Sequence, residues 1–521
     1  YVHQPTDRRP GVTLGIYGQT FNRNNLWFNY SDGFFATEAR IQYMLQAGDR
    51  RSDALVYMGD NLPNTELKEG ELNRLLPPNT KYQYINQEVL LDRISVRDGK
   101  LYMDGVHPFK YLMLRGDKMD IETIRRIEEL VNAGALIYGQ KPSSTLSLKD
   151  HDAQTAELRQ IAARLWGSGK VITDLKTLKK SFTPDLSLRG VDIDDVLYIH
   201  KTLGELDYYY IVNKENSSTV NFEATFDIKN GRPEIWDPMT GGVREQMMYI
   251  NSGELTTVPM TLGPRQGVFV VFRKGGDRQS HIRRLINIDG EIIFPDETGD
   301  FSRALPEAYR GEDGEIHLRS LEAGSYVLGY SDVLSSRVDI EAPAKLVLDG
   351  TVGTMTFEDE PMLGTVNIGG FRNLTGALDP VVKHYSGVIT YRTEADLPEG
   401  FIKPGRRVLI SIPAFGSTAR LTVNGHTLET IWDPYFKADI TEYVKSGKNE
   451  LVIVVTNPWR NRLVGDKAGV PSSQKLWTTS PLQQKHIPPQ QIIHEYTLLY
   501  PSGISQPVTI YSEGAEKVVV N

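Results

Sequence analysis

The sequence predicts a multidomain protein that joins an α/β part to all-β parts. At 521 residues the chain is long enough for roughly three or four domains, each with its own core. Residues 51–190 alternate strand and helix patterns, which predicts a parallel sheet. From about residue 191 the chain turns to short strands rich in aromatic and β-branched residues, which predicts sandwiches.

The opening stretch, residues 1–30, combines turn residues with side chains that can bind hydroxyl groups. Frequent prolines and glycines predict an ordered loop rather than a regular element. Amides and guanidinium groups bond hydroxyls in directional pairs, and an indole face covers the apolar side of a sugar ring. The side chains that can do this are His3, Gln4, Asn22, Arg23, Asn24, Asn25 and Trp27. The alternative interpretation is a polar surface loop without a ligand.

The α/β part follows the opening stretch. The pattern predicts helices at 37–48, 121–133 and 153–166, the second with a regular apolar stripe. Short apolar runs predict strands, and two Asp-Gly turns in 96–105 predict a hairpin. The predicted strands are 54–58, 111–114, 135–138 and 171–172. The sheet is Rossmann-like, but neither GxGxxG nor GxxxxGK[ST] is present, so a nucleotide site is not predicted.

The all-β part divides into three sections. The first has predicted strands at 206–213, 219–226 and 268–273, with a loop at 233–242. The second, 275–344, is more polar and predicts short linking strands. The third predicts a sandwich, with a hairpin about the Asn424-Gly425 turn. The hairpin spans 420–430, and the predicted strands lie at 385–394, 407–413, 449–457 and 507–511.

Composition and motifs exclude several classes of function. The chain has 58 basic and 66 acidic residues, a net charge of −8 without long blocks of one sign, so nucleic acid is not an expected partner. No apolar run is long enough to span a membrane. Cysteine is absent, which excludes disulfides and thiol nucleophiles. HExxH and GxSxG are also absent.

Carboxylates near the opening stretch do not form an obvious acid–base pair. Asp7 stands beside two arginines that would keep it ionised, and Glu38 is expected at the start of a helix. Asp32 lies between them. None of the three is predicted to be the catalytic acid of a glycosidase, which needs two carboxyl groups at a fixed separation.

An ordered set of motifs resembles glycoside hydrolase family 106, the α-L-rhamnosidases. It begins with His3-Gln4-Pro5, Pro10-Gly11, Arg23 and Trp27, and continues through ARIQYMLQAGDRRSDALVYMGDNLP. Later motifs are VRDGKLYMDG, LVNAGALIYGQKP, PEIWDPMTG, VFVVFR, WDPY and TNPWRNRLVGD. Two positions depart from the family pattern. Asp60 stands where Glu is expected, and Lys201 stands where Arg is usual; Lys lacks the forked pairing of Arg.

The resemblance implies an architecture and a chemistry. Residues 1–50 would be the end of a TIM-type (β/α)₈ catalytic barrel, 51–190 a Rossmann-like domain and 191–275 a β-sandwich. A small β linker region, 276–345, and a galactose-binding-like jelly roll, 346–521, would follow. Family members invert configuration with two glutamates, which the resemblance places upstream of Tyr1, so no catalytic residue is assigned here. Calcium is implied at some active sites of the family, with no ligands assignable in this chain.

The resemblance also implies a carbohydrate substrate and a periplasmic or secreted bacterial location. Because barrel sites lie at the carboxyl ends of strands, His3, Gln4, Asn24 and Trp27 are the candidate substrate contacts on the rim. A second hypothesis is a non-catalytic carbohydrate-binding protein that uses Trp432, Tyr435 and Trp459 of the last sandwich; the alternative is that these pack the core. A nucleotide-binding or amidotransferase-like regulator is a third hypothesis, which lacks both a phosphate loop and a cysteine.

Overall fold

The structure, a computed structural model, describes most of the chain. The described residues are 9–11, 21–61, 69–72, 74–105, 107–192, 194–273, 280–311, 313–330, 335–350, 352–474, 476–478 and 493–518. His3, Gln4 and Asp7 lie outside them. The structure confirms a mixed α/β molecule with many sheets and few helices.

The helices are concentrated in the first third of the chain. They are α1 (Asp32–Gln46), α2 (Glu69–Leu72), α3 (Gln87–Asp92), α4 (Ile121–Asn132), α5 (His151–Gly167), α6 (Leu175–Lys180), α7 (Pro380–Lys383) and α8 (Arg460–Lys467). None of these described helices has the length and apolar character needed to cross a membrane. Helix α1 begins five residues before the predicted start, so Glu38 lies inside it and not at its amino end.

Two short strands flank α1, and eight more build the α/β part. They are β1 (Pro10–Gly11), β2 (Asp49–Arg50), β3 (Ala54–Tyr57), β4 (Tyr82–Ile85), β5 (Ile94–Arg97), β6 (Lys100–Met103), β7 (His107–Phe109), β8 (Tyr111–Met113), β9 (Ile137–Tyr138) and β10 (Val171–Ile172). Five of them pair in parallel in the order β10-β9-β8-β3-β4. Strands β5, β6 and β7 form the predicted hairpin with one extra strand.

The parallel sheet is covered on both faces, as its apolar strands require. Every residue of β3 is buried. The stripe of α4 packs with α5 on one face through Ile124, Ile127 and Leu158. This burial on both faces explains why the strands read as continuous apolar runs.

The next nine strands form two antiparallel sheets that share a core. They are β11 (Leu186–Arg189), β12 (Val196–Leu203), β13 (Leu206–Asn213), β14 (Val220–Phe226), β15 (Pro233–Trp236), β16 (Val243–Glu245), β17 (Ile250–Ser252), β18 (Leu255–Leu262) and β19 (Gly267–Arg273). The sheet orders are β11-β14-β18-β17 and β16-β15-β19-β13-β12-β2. We call this pair the middle sandwich; its core includes Tyr209, Phe222 and Phe272.

The stretch predicted as a loop at 233–242 contains β15, so that prediction was wrong at its start. Strand β15 pairs with β19, and Ile235 is buried in the core of the middle sandwich. The outer face of the same sheet is packed by α1, whose Ile41 and Met44 contact Tyr208 and Phe269.

The section predicted as linking strands folds into two small sheets around a core of its own. Its strands are β20 (Ile282–Asn287), β21 (Ile292–Phe294), β22 (Glu307–Arg310), β23 (Ile316–Ser320), β24 (Gly324–Tyr330) and β25 (Ser335–Ile340). Leu285, Phe294, Leu318 and Leu328 are all fully buried there.

The last twelve described strands are β26 (Ala344–Leu348), β27 (Thr354–Phe357), β28 (Thr365–Asn367), β29 (Gly387–Leu397), β30 (Val408–Ser411), β31 (Thr418–Val423), β32 (His426–Thr427), β33 (Lys437–Asp439), β34 (Gly447–Asn457), β35 (Trp477–Thr478), β36 (Val508–Ser512) and β37 (Gly514–Lys517). Ten of them form a second two-sheet unit, which we call the terminal sandwich. Its sheets are β26-β36-β30-β33 and β28-β27-β29-β34-β31-β32. Asn424 and Gly425 both have positive φ, as the predicted hairpin turn requires.

Two of these late strands pair outside the terminal sandwich. Strand β37 joins β23 and β22, and β35 pairs in parallel with β1 near the start of the chain. The last described strand is therefore tied to the section 280–340, and the first is tied to β35, late in the chain.

Candidate functional site

The described part of the opening stretch folds back on itself and then enters a short helix. The amide N–H of Asn24 donates to Oδ1 of Asn22 at 2.8 Å, and that of Asn25 donates to the Asn22 carbonyl at 3.0 Å. A 3-10 helix, Leu26–Tyr30, follows and leads directly into α1. The stretch predicted to lack regular elements therefore contains one.

A clamp of polar contacts fixes the start of α1 to the terminal sandwich. Asp32 forms an ion pair with Arg420 at 2.6 Å and accepts bonds from the amide and hydroxyl of Thr430 at 3.1 and 2.6 Å. Burial opposes ionisation of Asp32, but the bonds from Thr430 and Arg420 outweigh it and lower its pKa. Asp32 therefore anchors α1 as a carboxylate.

The helix start also approaches the sandwich closely. A Cβ placed on Gly33 would lie 2.1 Å from the carbonyl oxygen of Thr430, so glycine is required at this position. The guanidinium of Arg420 lies 4.7 Å from the ring centre of Tyr30 and adds a cation–π contact.

An aromatic cluster fills the angle between α1 and the terminal sandwich. The ring of Phe34 meets Trp27 and Trp432 edge-on, at centroid distances of 6.0 and 5.4 Å. The indole N–H of Trp432 donates to Oγ1 of Thr37 at 3.4 Å. Phe34 thus orients two tryptophans, one from each end of the sequence.

A cleft of about 180 Å³ opens between the two tryptophans. We call it the tryptophan cleft; its lining residues are Trp27, Gly416, Ser417, Thr418, Trp432, Thr456 and Pro458. Thr418 and Thr456 bond one another at 2.7 Å, and Ser417 donates to Oδ1 of Asn457 at 3.3 Å. The cleft therefore offers indole surface and hydroxyl groups together, a combination suited to a sugar ring.

The structure separates the predicted substrate contacts. Trp27 lines the tryptophan cleft. Asn24 is only 5% exposed, and its carbonyl accepts a bond from the indole N–H of Trp459 at 2.7 Å. A direct ligand contact by Asn24 stays a prediction, as do the roles of His3 and Gln4, which lie outside the described residues.

The sandwich aromatics of the second hypothesis also have different positions. Trp459 is buried and holds the opening segment through Asn24. Tyr435 packs edge-on against Phe415. Trp432 alone of the three lines the tryptophan cleft.

Sequence reasoning missed the partnership between Trp27 and the residues of the terminal sandwich. Ser417, Thr418 and Thr456 lie in ordinary strand and turn patterns that carry no signal of a binding site. Trp27 and Trp432 are some 400 positions apart, and no local pattern joins them.

Asp60 and Lys201, which depart from the family pattern, both form hydrogen bonds within the protein. Asp60 accepts bonds from the Tyr57 hydroxyl and from the amide of Asp120 at 2.9 Å. The ammonium of Lys201 donates to the carbonyl of Leu45 at the end of α1. Neither residue lines the tryptophan cleft.

The implied calcium finds no ligand set in the part of the chain that the structure describes. Within those residues, no three His, Asp or Glu side chains are placed to hold a metal ion together. We therefore derive no chemistry through a metal.

Comparison with known proteins places this geometry in a family context. Residues 1–250 match the family model of glycoside hydrolase family 106, described as alpha-L-rhamnosidase. A putative beta-glucuronidase of Formosa agariphila is 33% identical over 287 residues, which are 54% of this chain and 24% of that protein. The resemblance to the family is thus confirmed over the first 250 residues.

A solved structure extends the similarity of fold to nearly the whole chain. The rhamnosidase from Novosphingobium sp. PP1Y aligns with 98% of this chain and 43% of its own, at 24% identity and a TM-score of 0.72. The chain therefore spans about a quarter of the curated relative and less than half of the solved rhamnosidase.

Proposed function

We propose, from the match of residues 1–250 to the α-L-rhamnosidases, that this chain is part of a glycoside hydrolase that removes α-L-rhamnose from a plant or microbial polysaccharide. The family match is the observation that carries the proposal. The solved rhamnosidase of similar fold supports the architecture.

The role proposed for this chain is to supply the tryptophan cleft as one part of the sugar-binding site. Trp27 would cover the apolar face of a sugar ring, and Trp432 would close the opposite side. The hydroxyl of Ser417, between them, would bond a sugar hydroxyl. These contacts would orient the substrate and exclude water from one side of the site.

The reaction proposed is hydrolysis with inversion. One carboxylic acid protonates the leaving oxygen, and one carboxylate activates a water on the opposite face of the ring. We place that pair outside this chain, which is supported by its span of 43% of the solved rhamnosidase. By the same resemblance we propose an exported, periplasmic or secreted protein.

The proposal is tested in the complete protein that contains this chain, with p-nitrophenyl α-L-rhamnopyranoside as substrate. Trp27→Ala should lower kcat/KM about tenfold or more, because stacking and apolar burial of the ring are lost. Proton NMR of the first product should show the inverted anomer.

The matched control is Tyr43→Ala, which removes an aromatic ring that is 75% exposed on α1 and outside the tryptophan cleft. Its kcat/KM should equal that of the unchanged protein. No hydrolysis of α-L-rhamnosides by the complete protein would refute the activity. Equal kcat/KM for Trp27→Ala and Tyr43→Ala would refute the role of the cleft.

A non-catalytic carbohydrate-binding protein is the second candidate, because Trp432 of the terminal sandwich lines the cleft. It requires that the complete protein bind rhamnose-containing glycans and hydrolyse none of them. Calorimetric titration and product analysis on the same sample distinguish the two candidates.

A further inference from the structure

A cavity of about 590 Å³ lies where the parallel sheet meets the middle sandwich. It shares no lining residue with the tryptophan cleft. Ligand sites in proteins commonly have volumes of about 300 to 1,000 Å³, so this cavity is large enough for one or two sugar rings. We call it the junction cavity.

One part of the cavity floor is formed by a lysine whose three ammonium N–H groups each have an acceptor. The ammonium of Lys110 contacts Asp53 at 3.1 Å, Asp227 at 2.9 Å and the Thr183 carbonyl at 2.6 Å. Asp53 stands at the amino end of β3 and Asp227 follows β14, so the contacts join the parallel sheet to the middle sandwich.

The other part of the floor is a histidine held between two carboxylates. His200 is 4% exposed, with Nδ1 at 2.8 Å from Asp185 and Nε2 at 3.2 Å from Asp207. Its ring stacks on Tyr209 at a centroid distance of 3.9 Å. The four carboxylates of the floor therefore share two cations, and each of them contacts Lys110 or His200.

Two cations on the wall of the junction cavity have no such compensation. Arg51 follows β2, and Lys100 is exposed at the start of β6; both line the cavity. Neither has a carboxylate within ion-pair distance among the residues that the structure describes. By contrast, Lys229 and Arg273 of the same wall are paired with Glu254 and Glu234.

The charge of Arg51 affects the protonation of the histidine beside it, His107. Nη1 of Arg51 lies 3.1 Å from Nδ1 of His107. Burial and then the charge of Arg51 lower the pKa of His107, against the weaker opposing effect of Asp49. Arg51 therefore bonds a neutral imidazole, and its own charge remains without a counter-ion there.

The rest of the wall combines Arg232 with neutral polar and apolar groups. Ser52 and Asn230 can bond hydroxyl groups, while Pro108 and Ile228 offer small apolar surfaces. The cavity therefore has groups that bond hydroxyls, together with two cations, Arg51 and Lys100, without a contacting carboxylate in the described part of the chain. This combination fits a ligand that carries both hydroxyl groups and a negative charge. An inorganic anion would use only the cations.

We propose that the junction cavity binds an anionic saccharide, a sugar unit with a carboxylate or sulfate group that Arg51 and Lys100 hold. This site goes beyond the proposed rhamnosidase reaction and does not depend on it. Guanidinium and ammonium groups form charge-assisted hydrogen bonds with either anion, so the two are recognised by the same chemistry.

Calorimetric titration of the full chain tests the proposal with D-glucuronate, D-glucose 6-sulfate, D-glucose and inorganic sulfate as probes. At least one anionic sugar should bind about tenfold or more tightly than glucose, and added salt should weaken its binding. Arg51→Gln and Lys100→Gln should each raise its Kd about tenfold. Which of the two sugars binds better identifies the anion.

The control is Lys149→Gln, which removes a charge from an exposed lysine outside the junction cavity and should leave the Kd unchanged. Circular dichroism of each variant checks that it is folded. The proposal is overturned if neither anionic sugar binds better than glucose, if sulfate alone binds as tightly as the sugars, or if all three variants behave alike.

Discussion

At the scale of single residues, His200 carries the clearest electrostatic consequence. Burial alone would lower its pKa, but the charges of Asp185 and Asp207 prevail and raise it. Both ring nitrogens face carboxylates, so the imidazole donates two bonds and is held as a cation.

Replacing this histidine should destabilise the protein in a pH-dependent way. His200→Gln leaves two buried carboxylates without their cation, which should cost about 3 kcal/mol or more of stability. Because the folded pKa is raised, the stabilisation by His200 is complete below about pH 6.5 and is lost as the pH rises through the folded pKa.

Thermal unfolding at pH 6 and at pH 9 measures this effect. The gap in midpoint between the unchanged protein and His200→Gln should be wide at pH 6 and narrower at pH 9. His426→Gln, at an exposed position, is the control and should shift neither midpoint. A gap that widens toward pH 9 would contradict the assigned charge state.

At the scale of elements, the packing of the start of α1 against the terminal sandwich depends on glycine at position 33. Gly33→Ala forces a methyl group against the Thr430 carbonyl, so α1 and the segment that follows β32 must separate or strain. We expect a loss of about 1–3 kcal/mol, as for other overpacked sites, and weaker stacking between Phe34 and Trp432.

The same substitution elsewhere provides the comparison. Gly167 ends α5, and a Cβ there would have no neighbour within 4 Å. Gly167→Ala should therefore be neutral or slightly stabilising. Thermal midpoints together with tryptophan fluorescence would measure both variants; equal midpoints would show that the clamp tolerates a side chain.

Elements with a strong local pattern could be predicted from the sequence, and others could not. Strand 206–213 and the apolar stripe of α4 were predicted nearly to their ends. The sequence predicts a loop where β15 lies, because its proline and the turn after it mask pairing that β19 supplies from 33 or more positions away. The early start of α1 follows from Asp32, whose partner Arg420 is remote in sequence.

At the scale of the whole molecule, the last strand completes a sheet that begins some two hundred residues earlier. Strand β37 pairs with β23, and Val518 is buried in the core around Leu318. Removing this strand should therefore loosen the section 280–340, although the terminal sandwich keeps its own core.

Ending the chain after Glu513 should speed tryptic cleavage within residues 280–340, which mass spectrometry can locate. Ending it after Val518 retains the strand and should leave the cleavage rate unchanged. Equal rates for both truncations would mean that β37 contributes no stability to this section.

The sequence predicted one side of the candidate site but not the residues that lie opposite it. The indole and amide side chains of the opening stretch pointed to sugar binding, and Trp27 does line a cleft. The opposite wall comes from β31 and its neighbours, and only long-range packing brings them together. The sequence also carried no sign of the junction cavity, because only the folding of the parallel sheet and its hairpin brings Arg51 and Lys100 to the same cavity.

The return of β37 has a consequence for biosynthesis. About 190 residues separate the end of β23 from the start of β37. At translation rates of roughly 5–20 residues per second, the sheet of β22 and β23 waits roughly 10–40 seconds for its third strand. During that interval the edge of β23 and the apolar side chains beneath it are open to other nascent chains or to a chaperone. The unit in the middle of the sequence is thus among the last to be finished.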